Sequence, residues 1–374
     1  MAPHDSPVYL DYNATTPVLP EAAEAVIASL RYFGNPSSVH GPGRRARALV
    51  EEAREAVAVL VNASAQHVVF TGSGTEANAL ALRGVAEASN CSAVLAAGVE
   101  HASVLAHIDG TDHIAVDANG VIELAALERV LRERPAPVLI SVMLVNNETG
   151  VVQPVARIAE LARKYGALIH CDAVQAAGKI PIDMRALGVD ALSLSAHKIG
   201  GVKGVGALVL RGGVDLVADM PGGGQERRRR AGTENVPGIA GFGASAQVVQ
   251  RVLGEMPRIA ALRDGMEMQI QSGAPRAHIF GADVARVGNT SCVALPGVSS
   301  ETQVMRLDLA GVAVSAGSAC SSGKIAPSHV LLAMGVDPAT AKTAIRVSLG
   351  WDTTAADVDH FLQVWLPLAG NAAA

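Results

Sequence analysis

Five short apolar runs each end in polar groups able to do chemistry. "HVVFT" (67–71) leads into "GSGTEAN", "AVLAA" (93–97) into "GVEHAS", "VLISVMLV" (138–145) into "NNETG", "ALIHC" (167–171) into "DAVQ", and "ALSLS" (191–195) into "AHKIG". Open α/β sheets bind ligands outside the carboxyl ends of their strands, so these tails are where a site would form. Gly74 and Thr75 open a helix-like stretch whose free N–H groups and positive end suit a phosphate. His101 offers an imidazole that titrates near neutrality, Asn147 an amide, Asp172 a carboxylate and Gln175 a carboxamide. Ser195, His197 and Lys198 add a hydroxyl, a second imidazole and an amine.

Taken singly, each admits an ordinary role. The G-x-G-x-x-A pattern of "GSGTEA" is a weak signal alone. Asp172 reads as a helix N-cap, His101 as a half-buried histidine, Asn147 as a turn residue, and Lys198 as an exposed lysine. What these roles leave unexplained is the gathering at one edge of one sheet. A phosphate cradle, a carboxylate, a stackable imidazole, amides and a lysine are the parts that pyridoxal 5'-phosphate needs. Lysine forms a Schiff base, a carboxylate keeps the pyridine nitrogen protonated so that the ring stores electrons, and the helix end anchors the phosphate.

The elements that must position these groups are legible as periodicities. "EAAEAVIASL" places Ala23, Val26, Ile27 and Leu30 on one helical stripe, and "RRARALVEEAREAVAVLV" carries a second. The strand runs, with "GALVL" (206–210), are apolar throughout instead of alternating, and helical patterns such as "ELAALERVLRER" and "VARIAELARKYG" separate several of them. That order predicts a largely parallel sheet covered on both faces. "GEMPRI" (254–259) reads as a hinge at Pro257, after which helices and the strands "NTSCVAL", "VAVSA" and "AIRVSL" predict a smaller α+β domain.

The totals agree. With 374 residues, 49% hydrophobic, 3% aromatic and 17% charged, the chain has globular composition and length for about two domains. A net charge of -5 supplies no field for DNA or an anionic membrane, and the longest apolar run falls far short of the ~20 residues that span a bilayer. Four dispersed cysteines without a CxxC pair fit a reducing cytoplasm.

At "GSGTEAN", "VEHAS", "VNNETGVVQP", "HCDAVQ", "SLSAHKIGGVKGVGAL" and "RAGTEN" the chain resembles the class V aminotransferase group of fold type I pyridoxal-phosphate enzymes, and "SAGSACSSG" (315–323) narrows the resemblance to the cysteine desulfurases of iron–sulfur cluster assembly. The resemblance runs from "YLDYNATTPVLPE" to "IRVSLG". It implies an α/β fold with a large, mostly parallel-sheet domain (15–255) and a smaller α+β domain (1–14 plus 256–374). By position, it implies that Lys198 holds the cofactor, Asp172 pairs with the pyridine nitrogen, Gln175 binds the ring oxygen and His101 stacks on the ring. Gly74, Thr75, Ser195 and His197 would hold the phosphate, joined by Thr233 from the neighbouring subunit of a homodimer. Arg346, aided by Asn147, would clamp the carboxylate of L-cysteine, where a planar guanidinium suits bidentate binding. Cys320 would take the substrate sulfur as a persulfide, leaving L-alanine, with His101 moving thiol protons. No intrinsic metal is implied, although Cys320 could share a cluster with an iron–sulfur scaffold, one candidate among several sulfur acceptors.

Some features depart from the pattern. Ala196 stands where the family often has glycine, "QERRRR" (225–230) is unusually basic and reads as an interface loop, and the end after "FLQVWLPLAGNAAA" is shorter than the tail many members direct at a scaffold. "HIDGTDH" (107–113) reads as a solvated loop before a metal cluster. Cys91, Cys171 and Cys292 read as small hydrophobes. The alternatives are a selenocysteine lyase or another class V aminotransferase, then a dehydrogenase using "GSGTEA" as a Rossmann turn, against which two preceding helices argue. The small-residue run "GSACSSGKIAP" predicts a long, mobile cysteine loop over residues 318–326.

Overall fold

The computed structural model describes residues 7–108, 113–317 and 326–371. Its central element is a seven-stranded sheet in the spatial order Val68–Thr71, Gly206–Leu210, Ala191–Ser195, Leu168–Asp172, Leu139–Met143, Val94–Ala97, His113–Ile114. Gly206–Leu210 runs antiparallel to both neighbours, and every other pairing is parallel. The strands read as uniformly apolar because both faces are covered. Along one strand Val68 and Phe70 enter one core while Val69 enters the other, and Leu192 and Leu139 divide in the same way.

Helix Gly41–Leu60 shows how the covering layer forms. His40 caps it by accepting from Gly43 N at 3.2 Å, and Ala46, Val50, Ala53 and Val57 recur at helical spacing to fill the first core.

A second core gathers around an antiparallel sheet in the order Ser315–Ala316, Ala344–Ser348, Thr290–Ala294, His278–Ile279. Phe361, Trp365, Leu307 and Ile345 fill it, together with Val8 and Leu10 from the start of the chain. Val8–Tyr9 pairs in parallel with Val312–Ala313, so the chain leaves this second core at Leu10 and crosses toward the large sheet as "DYNATT". That crossing carries Asp11 and Asn13 into the space between the cores.

Pro257 does not break the chain. One helix runs from Val236 to Gly273 with Pro257 inside it, capped by the Asn235 side chain, which accepts from Gly238 N at 3.1 Å. Its first half buries Ile239 and Phe242 in the large core, and its second buries Ile259, Met266 and Ile270 in the smaller one. Packing at both ends outweighs the hydrogen bond that a proline removes. "VAVSA" also differs from expectation, dividing into two two-residue strands. Among the described residues no helix is long and apolar enough to cross a membrane.

Candidate active site

A cleft of about 230 Å³ opens at the carboxyl edge of the large sheet. Gly74, Thr75, His101, Asn147 and Asp172 line it, as do Gln175, Ser195, His197 and Lys198, so nine of the residues singled out from sequence meet there. A larger hollow of about 670 Å³ lies among Asn62, Arg163, Met184 and Arg211, where the parallel strands begin, and none of those nine lines it.

The phosphate end is built from close backbone approach. Val68–Thr71 stops at Gly72, whose N–H donates to Glu76 Oε2 at 2.7 Å, and Ser73 Oγ accepts from Glu76 N at 3.1 Å to start the helix at Gly74. A Cβ on Gly74 would come within 2.9 Å of Val174 Cγ2 and 3.2 Å of Ser195 Cβ, and one on Gly206 within 2.4 Å of the Ser73 carbonyl carbon. Glycine at both positions lets main-chain N–H groups stand at the floor of the cleft. His197 closes this end, its Nδ1 3.1 Å from Thr15 Oγ1, and burial with the Lys198 and Lys203 charges lowers its imidazole to about 4. It is neutral at physiological pH.

Asp172 ends the strand Leu168–Asp172 and is buried. Its Oδ1 accepts from Val174 N at 2.9 Å and its Oδ2 from Asn78 Nδ2 at 2.8 Å. The same Asn78 amide donates to Ser103 Oγ at 2.9 Å, and Ser103 lies 2.8 Å from His101 Nδ1 through its hydroxyl while its N–H donates to that nitrogen at 3.1 Å. Nδ1 is thereby an acceptor, which leaves the proton of neutral His101 on Nε2. Burial and the Lys198 and His329 charges lower this imidazole against the pull of Asp172. Behind Asp172, Glu100 is fully buried: Oε1 accepts from Met143 N at 2.8 Å, Oε2 has no partner among the described residues, and burial reinforced by Asp172 holds the carboxyl well above its usual range.

The amine of Lys198 donates to the main-chain carbonyls of Asn13 at 2.5 Å and Ala14 at 2.8 Å. Burial lowers it to about 8, with Arg346 adding to the shift and Asp11 and Asp172 opposing it. An amine brought down to about 8 yields far more of its free, nucleophilic form near neutrality than an ordinary lysine does. Gln175 is oriented by two contacts, Nε2 donating to Asn13 O at 2.9 Å and Oε1 accepting from Lys179 Nζ at 2.5 Å.

Arg346 reaches the same region from the smaller core. In strand Ala344–Ser348 it is buried, its Nη2 donating to Asp11 Oδ1 at 2.8 Å and its Nη1 to the Asn147 carbonyl at 2.9 Å. Among the described residues Arg346 Nε and Asn147 Oδ1 are buried without a partner, which leaves polar capacity for a further group.

Thr233 does not enter this cleft. It is exposed beside a separate hollow of about 150 Å³ with Arg230 and Gly72. "QERRRR" folds into internal contacts: Glu226 receives both terminal nitrogens of Arg54 at 2.6 and 2.8 Å, Arg230 pairs with Glu76 at 2.8 Å, and Arg227 donates to the Gln66 carbonyl. Cys320 and the expected mobile loop lie outside the described residues, as do Asp109 and Asp112 of "HIDGTDH". Cys171 and Cys292 are buried strand residues, as expected, and Cys91 is half-buried.

Sequence reasoning passed over Asp11, Asn13, Asn78, Glu100 and Lys179. Asn78 lies in "GSGTEAN", Glu100 in "GVEHAS", and Asp11 and Asn13 in "YLDYNATTPVLPE". Lys179 stands four residues after Gln175, and Asp11 and Asn13 are joined to the cleft by long-range folding.

The amine, carboxylate, stackable imidazole and glycine-floored turn fit pyridoxal phosphate in chemistry and placement. Comparison with known proteins points the same way. The profile of the class-V aminotransferase family matches residues 8–361. A protein of Cereibacter sphaeroides named cysteine desulfurase is 46% identical over 372 residues, covering 96% of this chain and 95% of its own. A cysteine desulfurase IscS of Dictyoglomus turgidum is 39% identical, covering 96% and 93%. Among solved structures, a NifS-like protein of Rickettsia africae superposes with a TM-score of 0.90 at 34% identity over 97% of this chain and 99% of its own. SspA in complex with cysteine gives 0.79 at 30% identity over 92% and 99%.

Proposed function

The chain belongs to the class-V aminotransferase family, among the pyridoxal-phosphate-dependent cysteine desulfurases, and from that premise we propose the residue roles by which it takes sulfur from L-cysteine. Bound pyridoxal phosphate supplies an aldehyde that amines capture and a protonated ring that stores the electron pair of a broken bond. Lys198 anchors it through Nζ, and Asp172, held by Asn78 and the Val174 N–H, keeps the ring nitrogen protonated. Gly74 and Thr75 offer N–H groups to the phosphate beside Ser195 and His197. Gln175 faces the ring oxygen and His101 covers the ring.

Arg346 receives the substrate carboxylate, sharing its guanidinium with Asp11, while Asn147 holds Nη1 in place. Once substrate has displaced it, Lys198 Nζ carries the proton taken from the substrate α-carbon. His101 Nε2 exchanges thiol protons with substrate and with Cys320. The Cys320 thiolate attacks the substrate sulfur: an S–S bond forms, the C–S bond breaks, and its electron pair stays with carbon. That carbon takes up a proton, and L-alanine departs. The persulfide on Cys320 passes to a sulfur acceptor, for which an iron–sulfur scaffold is the proposed type, in the reducing cytoplasm. Thr233, exposed beside a separate hollow, serves the cleft of a second copy in a homodimer.

The observation that carries this reading is the convergence of Lys198, Asp172 and His101 on one cleft beside Arg346. SspA, solved with cysteine, supports the substrate. The test is incubation with L-cysteine, assay of alanine and sulfide, and mapping of the persulfide by mass spectrometry in the wild type and Cys320→Ala. Equimolar products and sulfur on Cys320 are expected. Full activity of Cys320→Ala, or sulfur on Cys91 or Cys292, would overturn it.

A further inference from the structure

Asn13 lies on the segment that crosses between the two cores, and it is buried. Its main-chain carbonyl accepts from both Lys198 Nζ and Gln175 Nε2. Its side-chain Oδ1 accepts from Lys179 Nζ at 2.6 Å and Asn289 Nδ2 at 3.1 Å, and its Nδ2 donates to Thr290 Oγ1 at 2.9 Å. Lys179 is likewise buried, and its second contact is Gln175 Oε1. A neutral amine has two hydrogens, and two acceptor oxygens face it. An ammonium would bring a third hydrogen and a full charge, with Lys198 and Arg346 as the charged groups facing it, both cations. Burial and those two cations push the Lys179 amine far below its ordinary value.

This arrangement fixes which way round the Gln175 carboxamide sits. Its oxygen is taken by Lys179 and one of its N–H groups by Asn13, so the group left over is an N–H. Without Lys179 only the Asn13 carbonyl still opposes turning the amide over to present an oxygen instead. The two main-chain carbonyls of Asn13 and Ala14 also make a resting place for the Lys198 amine when it is not bonded to cofactor.

We propose that Lys179 and Asn13 are positioning residues: together they lock Gln175 as a hydrogen-bond donor toward the cofactor's ring oxygen, while the Asn13 carbonyl receives the Lys198 amine when substrate releases it. The proposal rests on the reading that Lys198 anchors the cofactor and Gln175 meets the ring oxygen. A donor at that oxygen stabilises its negative charge, and losing it makes the proton shared with the Lys198 nitrogen harder to remove.

The experiment is a pH titration of the visible absorption of the holoenzyme. Lys179→Met, which keeps the side chain's bulk and removes its donors, should raise the midpoint by about one pH unit, the scale of a hydrogen bond to a charged group. Lys179→Gln, which restores two N–H donors, should return it toward the wild type. In a Gln175→Leu background, Lys179→Met should add no further shift. An unmoved midpoint, or a shift that persists undiminished without Gln175, overturns the proposal. Should Lys179→Met not accumulate as folded protein, Asn13→Ala removes the other Lys179 partner and leaves the carbonyl in place. It should move the midpoint the same way by less, and no movement overturns the proposal. A wild type that takes up no visible band on pyridoxal phosphate would sink the Lys198 reading and this one together, whereas a normal band with an unmoved Lys179→Met midpoint sinks this one alone.

Discussion

Replacing Glu148 by glutamine should change the pH dependence of stability in a calculable way. Glu148 follows Asn147 in the turn that supports Arg346, and it is buried, with Ser328 Oγ donating to its Oε2 at 2.5 Å. Burial lifts its carboxyl from an ordinary 4.5 to about 7, although Ser328 and Arg346 both pull it down. The folded state therefore holds the proton more tightly than the unfolded chain does. Stability from this group is fully present below its unfolded value and is lost as pH rises toward and through about 7. The gap amounts to about 3 kcal/mol at roughly 1.4 kcal/mol per pH unit. Glutamine cannot ionise, so the variant should escape the loss: stabilities from urea unfolding should favour Glu148→Gln by under about 1 kcal/mol near pH 5 and by about 3 kcal/mol near pH 8. For a chain of this length that is about 4 °C in melting temperature. Other titrating groups cancel in the difference between the two proteins. Wild-type and variant curves that run parallel from about pH 5 to about pH 8 would refute the assignment of a proton to buried Glu148.

Three further outcomes follow from the cleft. Because the Lys198 amine sits at about 8, capture of pyridoxal phosphate by cofactor-free protein should accelerate with rising pH and level off above that value, and a flat stopped-flow profile would contradict it. Asn78→Ala removes the donor at 2.8 Å from Asp172 Oδ2, so cofactor affinity should weaken on the order of tenfold, measured by fluorescence titration; an unchanged Kd would show that Asn78 does not act through Asp172. Arg346→Lys loses the planar fork and should lower kcat/KM for L-cysteine by roughly a hundredfold in an alanine assay, while a loss under about threefold would exclude a bidentate carboxylate contact.

The large sheet was legible because its strands are buried on both faces, so Val68–Thr71 or Leu139–Met143 stands out as a continuous apolar run. Its polar ends were legible for a related reason: at the carboxyl edge, side chains such as Asp172 and Lys198 follow their runs directly in sequence. Val8–Tyr9 and His278–Ile279 escaped because two residues carry no period. Asn13 meets Lys179 across 166 residues and Asp11 meets Arg346 across 335, and nothing local in "DYNATT" or "AAGKIP" announces a buried amine. Pro257 misled in the opposite direction. A local breaker was overruled by apolar faces on either side of it that bury in different cores.

That helix has a consequence for how the molecule comes apart. From Val236 to Gly273 it is about 57 Å long at 1.5 Å per residue, and each half completes a core that the other half cannot reach. Cutting near residue 255 would strip Ile259, Met266 and Ile270 from the stem they extend, leaving the smaller core open on one side. Melting of one core withdraws the support under half of a shared element, so the two should be lost in a single cooperative transition instead of two separable ones.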